Sequence, residues 1–103
     1  MGISTFGEYI RSLREEAGLT LETVAQKINI DTSLLGKIER NERNPTKNLI
    51  KKLSNFFDQE ESYLLSEHLS DQIAFKILDE EANVEVLKTA EKKIDYLKSK
   101  KNG

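Results

Sequence analysis

Apolar side chains recur along the first half of the chain at the three- and four-residue spacing of one face of an α-helix. Strand signals are absent, because no alternation with a period of two persists and no Asn-Gly or Asp-Gly pair joins two β-branched runs. The pattern predicts four short helices in a compact all-α unit. The side chains expected to face its core are Phe6, Ile10, Leu13, Val24, Ala25, Ile28, Leu35, Ile38, Leu49, Ile50, Leu53, Phe56 and Phe57.

Residues suited to helix ends mark the boundaries of these four helices. Short polar side chains can accept hydrogen bonds from the first free N–H groups of a helix, and Gly and Asn tolerate the left-handed conformation that often follows its end. The predicted N-caps are Ser4 or Thr5, Thr20, Asp31 and Thr46. The predicted left-handed or turn positions are Gly18, Asn29 and Asn41, and Pro45 stops any continuation of the third helix.

Beyond Asp58 the chain carries a long amphipathic run in which apolar residues recur every four positions from Leu65 to Ile77. Residues 79–83 predict a corner, and a last helix places Val84, Leu87, Ala90, Ile94 and Leu97 near one face. These two helices predict an αα-hairpin whose apolar face covers the first unit or meets a copy of itself. The candidate dimer or partner face consists of Leu69, Ile73, Ile77, Leu87, Ile94 and Leu97.

Charge is spread unevenly over the 103 residues, which carry 16 basic and 18 acidic side chains. Residues 1–57 have nine basic and seven acidic side chains, whereas residues 58–103 have seven basic and eleven acidic ones. Residues 36–52 hold six basic and two acidic side chains, so this stretch has a local charge of +4. Such a stretch suggests a surface that faces a polyanion. A solvated helix face is the alternative, and spacing has to decide between them.

Candidate chemistry for catalysis or metal binding is sparse. The chain has no cysteine and one histidine, His68, for which we expect a surface or packing role. No titratable pair lies at catalytic spacing, so we expect no catalytic residues, no metal, no cofactor and no enzyme activity. No run of eighteen apolar residues predicts a membrane span, and the first eight residues lack the features of a secretion signal. We therefore expect a cytoplasmic protein.

The second and third predicted helices, joined by a three-residue turn, have the geometry of a helix-turn-helix. A helix with its side chains is about 10–12 Å across, and the major groove of B-DNA is about 12 Å wide. A helix that enters the groove therefore needs short side chains at its leading end. Thr32 and Ser33 lead the third helix, Gly36 follows, and Lys37 and Arg40 continue the face of Ser33.

These residues resemble the lambda-repressor-like (Xre/Cro) helix-turn-helix family over about residues 5–65. The resemblance implies a five-helix DNA-binding domain at residues 1–65, with residues 66–103 as a helical extension for dimerisation or partner binding. It further implies a dimeric transcriptional regulator on a two-fold operator. The matching segments are Gly18-Leu19-Thr20, Val24-Ala25, Lys27-Ile28-Asn29-Ile30, Leu35, Lys37-Ile38-Glu39-Arg40-Asn41-Glu42-Arg43-Asn44-Pro45-Thr46 and Leu49.

The resemblance also implies roles for individual side chains. Arg14 and Glu39 occupy positions that form a structural ion pair in this family. Leu21 stands where family members commonly carry Gln to brace a phosphate, so that side-chain contact is lost. The implied base-reading residues are Thr32, Ser33, Leu34 and Lys37. The implied phosphate-binding residues are Thr20, Arg40, Arg43, Asn44, Thr46 and Lys47.

The leading hypothesis is a homodimeric repressor that binds double-stranded DNA with residues 32–40 in the major groove. The alternative is a protein-interaction module, such as an antitoxin whose carboxyl-terminal helices bind a partner protein. The sequence leaves open whether those helices dimerise, bind a partner or pack on the first unit.

Overall fold

The computed structural model describes residues 2–102 and contains six α-helices and no strand in that part of the chain. The helices are α1 (Phe6–Glu16), α2 (Leu21–Lys27), α3 (Thr32–Glu39), α4 (Lys47–Phe56), α5 (Glu61–Asp79) and α6 (Val86–Asn102). The all-α class is confirmed. The helix that follows α4 and the first helix of the extension are one continuous helix of 19 residues, α5. The last helix begins at Val86, so Val84 precedes it.

Threonine side chains cap three of the first four helices, as the sequence predicts. Thr5 accepts from the backbone N–H of Glu8, whose carboxylate accepts in return from the N–H of Thr5. Thr20 and Thr46 each accept from the N–H of the third residue of their helix. Asp31 occupies the N-cap of α3, but its side chain makes no capping hydrogen bond. The predicted N-cap position of Asp31 is therefore confirmed, although its side chain does not add the expected hydrogen bond.

Left-handed backbone conformations separate the helices. Gly18 (φ 69°), Asn29 (φ 60°) and Asn41 (φ 62°) adopt the positive φ angles predicted for them. Asp58 (φ 54°) and Glu81 (φ 52°) do the same after α4 and α5. Asp tolerates this conformation comparatively well, whereas Glu has no such preference. The positive φ at Glu81 falls within the predicted corner.

The helices are divided between two units, Met1–Asp71 and Gln72–Gly103. A single apolar core fills the first unit. Phe56 and Phe57 were expected in this core but are only half-buried, with their rings in edge-to-face contact at 4.9 Å. The buried apolar residues are Phe6, Ile10, Val24, Ala25, Ile28, Leu35, Ile38, Leu49, Ile50, Leu53 and Leu64.

The first part of α5 packs on α1. His68 lies edge-on to Phe6 with ring centroids 5.8 Å apart, and Tyr63 lies edge-on to Tyr9 at 5.7 Å. Asp71 accepts a hydrogen bond from the backbone N–H of Phe6. The single histidine of the chain is thus a packing residue in the first unit.

The second unit comprises the end of α5, the turn around Glu81, and α6. Across residues 72–101 every side chain is exposed except Ile77, which is half-buried. No helix in the described part of the chain is both long enough and apolar enough to cross a membrane.

Candidate nucleic-acid interface

The turn between α2 and α3 is short and fixed by the backbone. Asn29 adopts its left-handed conformation directly after α2, and the N–H of Ile30 donates to the carbonyl oxygen of Ala25. Ile30 is half-buried against the core, so it holds the turn on the body of the unit. α3 packs against both α1 and α2. These contacts fix the direction of α3 relative to the rest of the first unit.

α3 presents one buried and one exposed face. Leu35 and Ile38 are almost completely buried in the core. Thr32, Ser33 and Lys37 are exposed on the opposite side, while Leu34 is half-buried and packs at the edge of the core. We call Thr32, Ser33, Leu34 and Lys37 the reading face. Its leading end carries only short hydroxyl side chains, which leaves the helix slim where it would enter a groove.

The backbones of α1 and α3 approach each other closely at Gly7. A Cβ atom on Gly7 would overlap the carbonyl oxygens of Ile38 and Glu39, so only glycine allows α1 to come this near. Asn41, directly after α3, accepts from the N–H of Gly7 at 3.3 Å and donates to the Thr5 hydroxyl at 2.9 Å. The carboxyl end of α3 is thereby tied to the amino end of α1.

A two-point ion pair adds to this support. Arg14 donates from Nε to Oε2 of Glu39 at 2.8 Å and from Nη2 to Oε1 at 3.0 Å, and its Nη1 donates to the carbonyl oxygen of Leu19 at 2.9 Å. The two side chains are only 12% and 4% exposed. The hydrogen bond with Glu39 raises the pKa of Arg14. Because both charges are largely out of water, each depends on the other.

The expected phosphate-binding residues lie at two places. Thr20 is at the exposed start of α2, where its hydroxyl is the helix cap. Arg43, Asn44, Thr46 and Lys47 are all exposed in the loop before α4 and at its start. The free N–H groups and the dipole of a helix start favour an anion at both places.

A shallow pocket connects the start of α4 to the reading face. Leu34 from α3 lines it together with Arg43, Asn44 and Thr46. Lys52, one of the basic residues of the 36–52 stretch, also lines the pocket, although it is not among the residues that the family resemblance implies. The signal that could have identified Lys52 is a basic side chain on the side of α4 that is half-buried. The structure thus brings three of the expected phosphate-binding residues, Arg43, Asn44 and Thr46, next to the reading face.

Arg40, the remaining residue expected to bind phosphate, lies at the end of α3 and forms an ion pair with Glu42. Its Nε donates to Oε2 of Glu42 at 2.8 Å. The hydrogen bond raises the pKa of Arg40 and lowers the pKa of Glu42. Both side chains are more than half exposed. Helical spacing does not identify Glu42 as a partner of Arg40, because the two residues are two positions apart across a helix end.

A helix with one exposed face, packed against α1 and α2 and flanked by basic side chains, is typical of a helix-turn-helix protein. The profile of the helix-turn-helix family HTH_3 matches residues 10–64, more than half of the chain, and the chain belongs to this family. Within that family it is a lambda-repressor-like, Xre-type helix-turn-helix protein.

Named relatives share this domain. The HTH-type transcriptional regulator ImmR of Bacillus subtilis (strain 168) is 34% identical over 61 residues, which are 59% of this chain and 48% of ImmR. The chain therefore matches about half of that relative. The restriction-modification controller protein C.AhdI of Aeromonas hydrophila has a TM-score of 0.54 at 39% identity, over 57% of this chain and 89% of its own.

Two structures of the regulator SinR are also similar. SinR in complex with DNA, described as the master regulator for biofilm formation, has a TM-score of 0.55 at 34% identity and covers 59% of this chain and 98% of its own. A chain of the SinR protein/SinI protein complex has a TM-score of 0.56 at 26% identity. It covers 96% of this chain and 100% of its own, so the likeness extends into α6.

Proposed function

We propose that this protein is a sequence-specific repressor that binds a two-fold operator as a homodimer, with α3 in the major groove. The observation that carries the proposal is the division of α3 into a buried face and an exposed face of short and basic side chains. Repression follows in the simplest way, since a bound dimer blocks other proteins from the same duplex. Residues 1–65 would carry the DNA contacts and residues 66–103 the self-association.

The reading face offers chemically distinct contacts to base edges. Lys37 can donate to O6 and N7 of guanine, and the exposed part of Leu34 can touch the methyl group of thymine. The hydroxyls of Thr32 and Ser33 can donate or accept, so they match several base edges. Each good base contact contributes about 1–3 kcal/mol of discrimination. Because these hydroxyls are short, groove shape and bridging water would add to the specificity.

Phosphate contacts would supply most of the affinity. The flexible cations Arg43 and Lys47 lie beside the start of α4, where Asn44 and Thr46 add hydrogen-bonding groups. Thr20 and Arg40 would contact phosphates of the DNA backbone on the other side of α3. Each phosphate neutralised by a cation releases counterions, so binding should weaken steeply with salt.

Self-association is supported by the composition of the second unit. The end of α5 and α6 bury no side chain across residues 72–101, so this unit gains little from folding alone, and units of this size commonly need oligomerisation to become stable. Apolar residues remain exposed along both helices, including Ile73 (51%), Ile94 (52%) and Leu97 (60%). The apolar tail face, Leu69, Ile73, Ile77, Leu87, Ile94 and Leu97, would meet the same face of a second copy.

A second candidate function is the binding of a different protein through this apolar tail face. It is favoured by the match over 96% of this chain to a chain of a two-protein complex. The surplus of acidic side chains in residues 58–103 would then select a partner with a basic rim. The two candidates differ in solution, because only the first gives a dimer from the purified chain alone.

Selection of bound duplexes from a random pool tests the proposed function. The full chain should enrich one inverted repeat whose half-sites are centred about 10–10.5 bp apart, or a multiple of that distance. Enrichment of a single, non-repeated site would contradict the dimer. A pool that stays random through successive rounds would contradict sequence-specific binding altogether.

A further inference from the structure

Gly36 is a glycine in the middle of the helix that faces the DNA. Glycine weakens a helix interior relative to alanine because it has more backbone freedom to lose. Its φ angle is not positive, unlike that of Gly18, so the backbone does not require glycine there. The reason must lie in the space that a side chain would occupy.

That space is filled by the guanidinium of Arg40. A Cβ atom on Gly36 would lie 3.1 Å from Nη1 of Arg40, closer than an ordinary contact. The same atom would lie 3.8 Å from Cδ1 of Leu21, which is an ordinary van der Waals distance. An added methyl group would therefore fit against α2 and displace only the tip of Arg40.

Glu42 holds the same guanidinium from the other side. It accepts from Nε of Arg40 at 2.8 Å and from Nη2 at 3.4 Å. Among the hydrogen bonds of the described residues, none uses Nη1 of Arg40. Because the pair is 55% and 53% exposed, it contributes little to the stability of the fold. Its consequence is to fix where the guanidinium lies.

We propose that Gly36 and Glu42 are positioning residues that hold the guanidinium of Arg40 along α3 so that Nη1 can donate to a DNA phosphate. This inference rests on the proposed function. Leu21, the neighbouring first residue of α2, has no donor, so Arg40 supplies the side-chain contact at this edge of the interface. An arginine ordered before binding loses less side-chain freedom when it meets the phosphate.

The test uses Gly36→Ala in the full chain and the duplex selected above. The variant should be as thermally stable as the parent or more stable, because alanine is the better helix former. It should bind the duplex more weakly by about three- to tenfold. The slope of log K against log salt should also become shallower by about 0.9, although no charge has changed. Gly2→Ala is the matched control, because among the described residues, its chain neighbours aside, none lies within 4 Å of where its Cβ atom would be.

A double-mutant cycle separates positioning from a direct clash with DNA. In an Arg40→Ala background, Gly36→Ala should cause no further loss of affinity, since the side chain that it displaces is gone. An equal loss in both backgrounds would mean that the methyl group itself meets the DNA, which overturns the inference. An unchanged affinity and salt slope in Gly36→Ala would overturn it as well.

Glu42→Ala supplies a test of opposite sign. Removal of a negative charge near DNA should tighten binding by electrostatics alone, and this is expected for the exposed control Glu22→Ala. Loss of positioning should instead make Glu42→Ala bind more weakly than the parent. Tighter binding by Glu42→Ala would overturn its role. If the parent chain binds no duplex, the proposed function fails, and this inference fails with it.

Discussion

The carboxylate of Asp71 accepts a 2.7 Å hydrogen bond from the backbone N–H of Phe6, the first residue of α1. The first N–H groups of a helix have no partner within the helix, and a negative charge is favoured at this end of the helix dipole. The contact joins residues 65 positions apart and lies on the same face of α5 as Leu64 and His68. It anchors the middle of α5 to the first unit.

Asp71→Ala should lower the free energy of unfolding by about 1–2 kcal/mol, because the N–H of Phe6 loses a charged acceptor. Urea unfolding followed by circular dichroism measures the change. Asp95→Ala on the exposed surface of α6 is the matched control and should shift stability by less than about 0.5 kcal/mol. Equal effects of the two substitutions would show that the hydrogen bond of Asp71 does not stabilise the unit.

The Arg14–Glu39 pair should be costly to break on one side only. Glu39→Ala leaves the guanidinium of Arg14 largely buried without its carboxylate, so we expect a loss of about 3–5 kcal/mol. The double variant Arg14→Met with Glu39→Met should lose less than the sum of the two single methionine variants, because no charge is left stranded. Denaturant titrations of all four proteins measure this coupling. Additive losses would contradict an interdependent pair.

Substitutions of Lys37 and of Arg43 should have different effects on DNA binding. Under the proposed function, Lys37→Ala should reduce discrimination at one base position of the selected duplex by about 1–3 kcal/mol, since it would remove a donor to a base edge. Arg43→Ala should weaken binding to all duplexes about equally and reduce the salt slope by about 1. Binding titrations against single-position variants of the duplex measure both effects. A uniform loss for Lys37→Ala would mean that the register of the reading face is wrong.

The apolar tail face should control oligomeric state. The double variant Ile94→Asp with Leu97→Asp places two charges among exposed apolar side chains, so a dimer formed through this face should dissociate. Sedimentation equilibrium measures the mass of the parent and of the variant. Ser99→Asp, an exposed position away from this face, is the control and should leave the mass unchanged. A parent that is monomeric from the outset would favour the second candidate, a different protein partner.

The local features of the fold were predictable because the interactions that determine them span only a few residues. Thr5, Thr20 and Thr46 cap helices through N–H groups three positions away. Gly18 and Asn29 adopt positive φ because of their own covalent structure. Helical spacing predicts that Leu35 and Ile38 are buried. The opposite side of α3, which carries the reading face, is then predicted to be exposed.

Contacts between distant residues were not predictable in the same way. Nothing in the spacing indicates that Asp71 reaches Phe6, or that Tyr9 donates to Gln59 at 2.7 Å. The Arg14–Glu39 pair was expected only through the family resemblance. Asp31 occupies its predicted N-cap, but N-cap preference describes an average, and here the backbone takes the cap conformation without a hydrogen bond from the side chain.

Reading of base edges by α3 in the major groove is tested most directly with one modified duplex. Replacing a guanine of the selected site by 7-deazaguanine removes the N7 acceptor from the major groove while base pairing is preserved. At the guanine read by Lys37, this change should weaken binding of the parent chain by about tenfold and leave binding of Lys37→Ala unchanged. If the parent binds every 7-deazaguanine duplex as tightly as the unmodified one, α3 does not read guanine in the major groove.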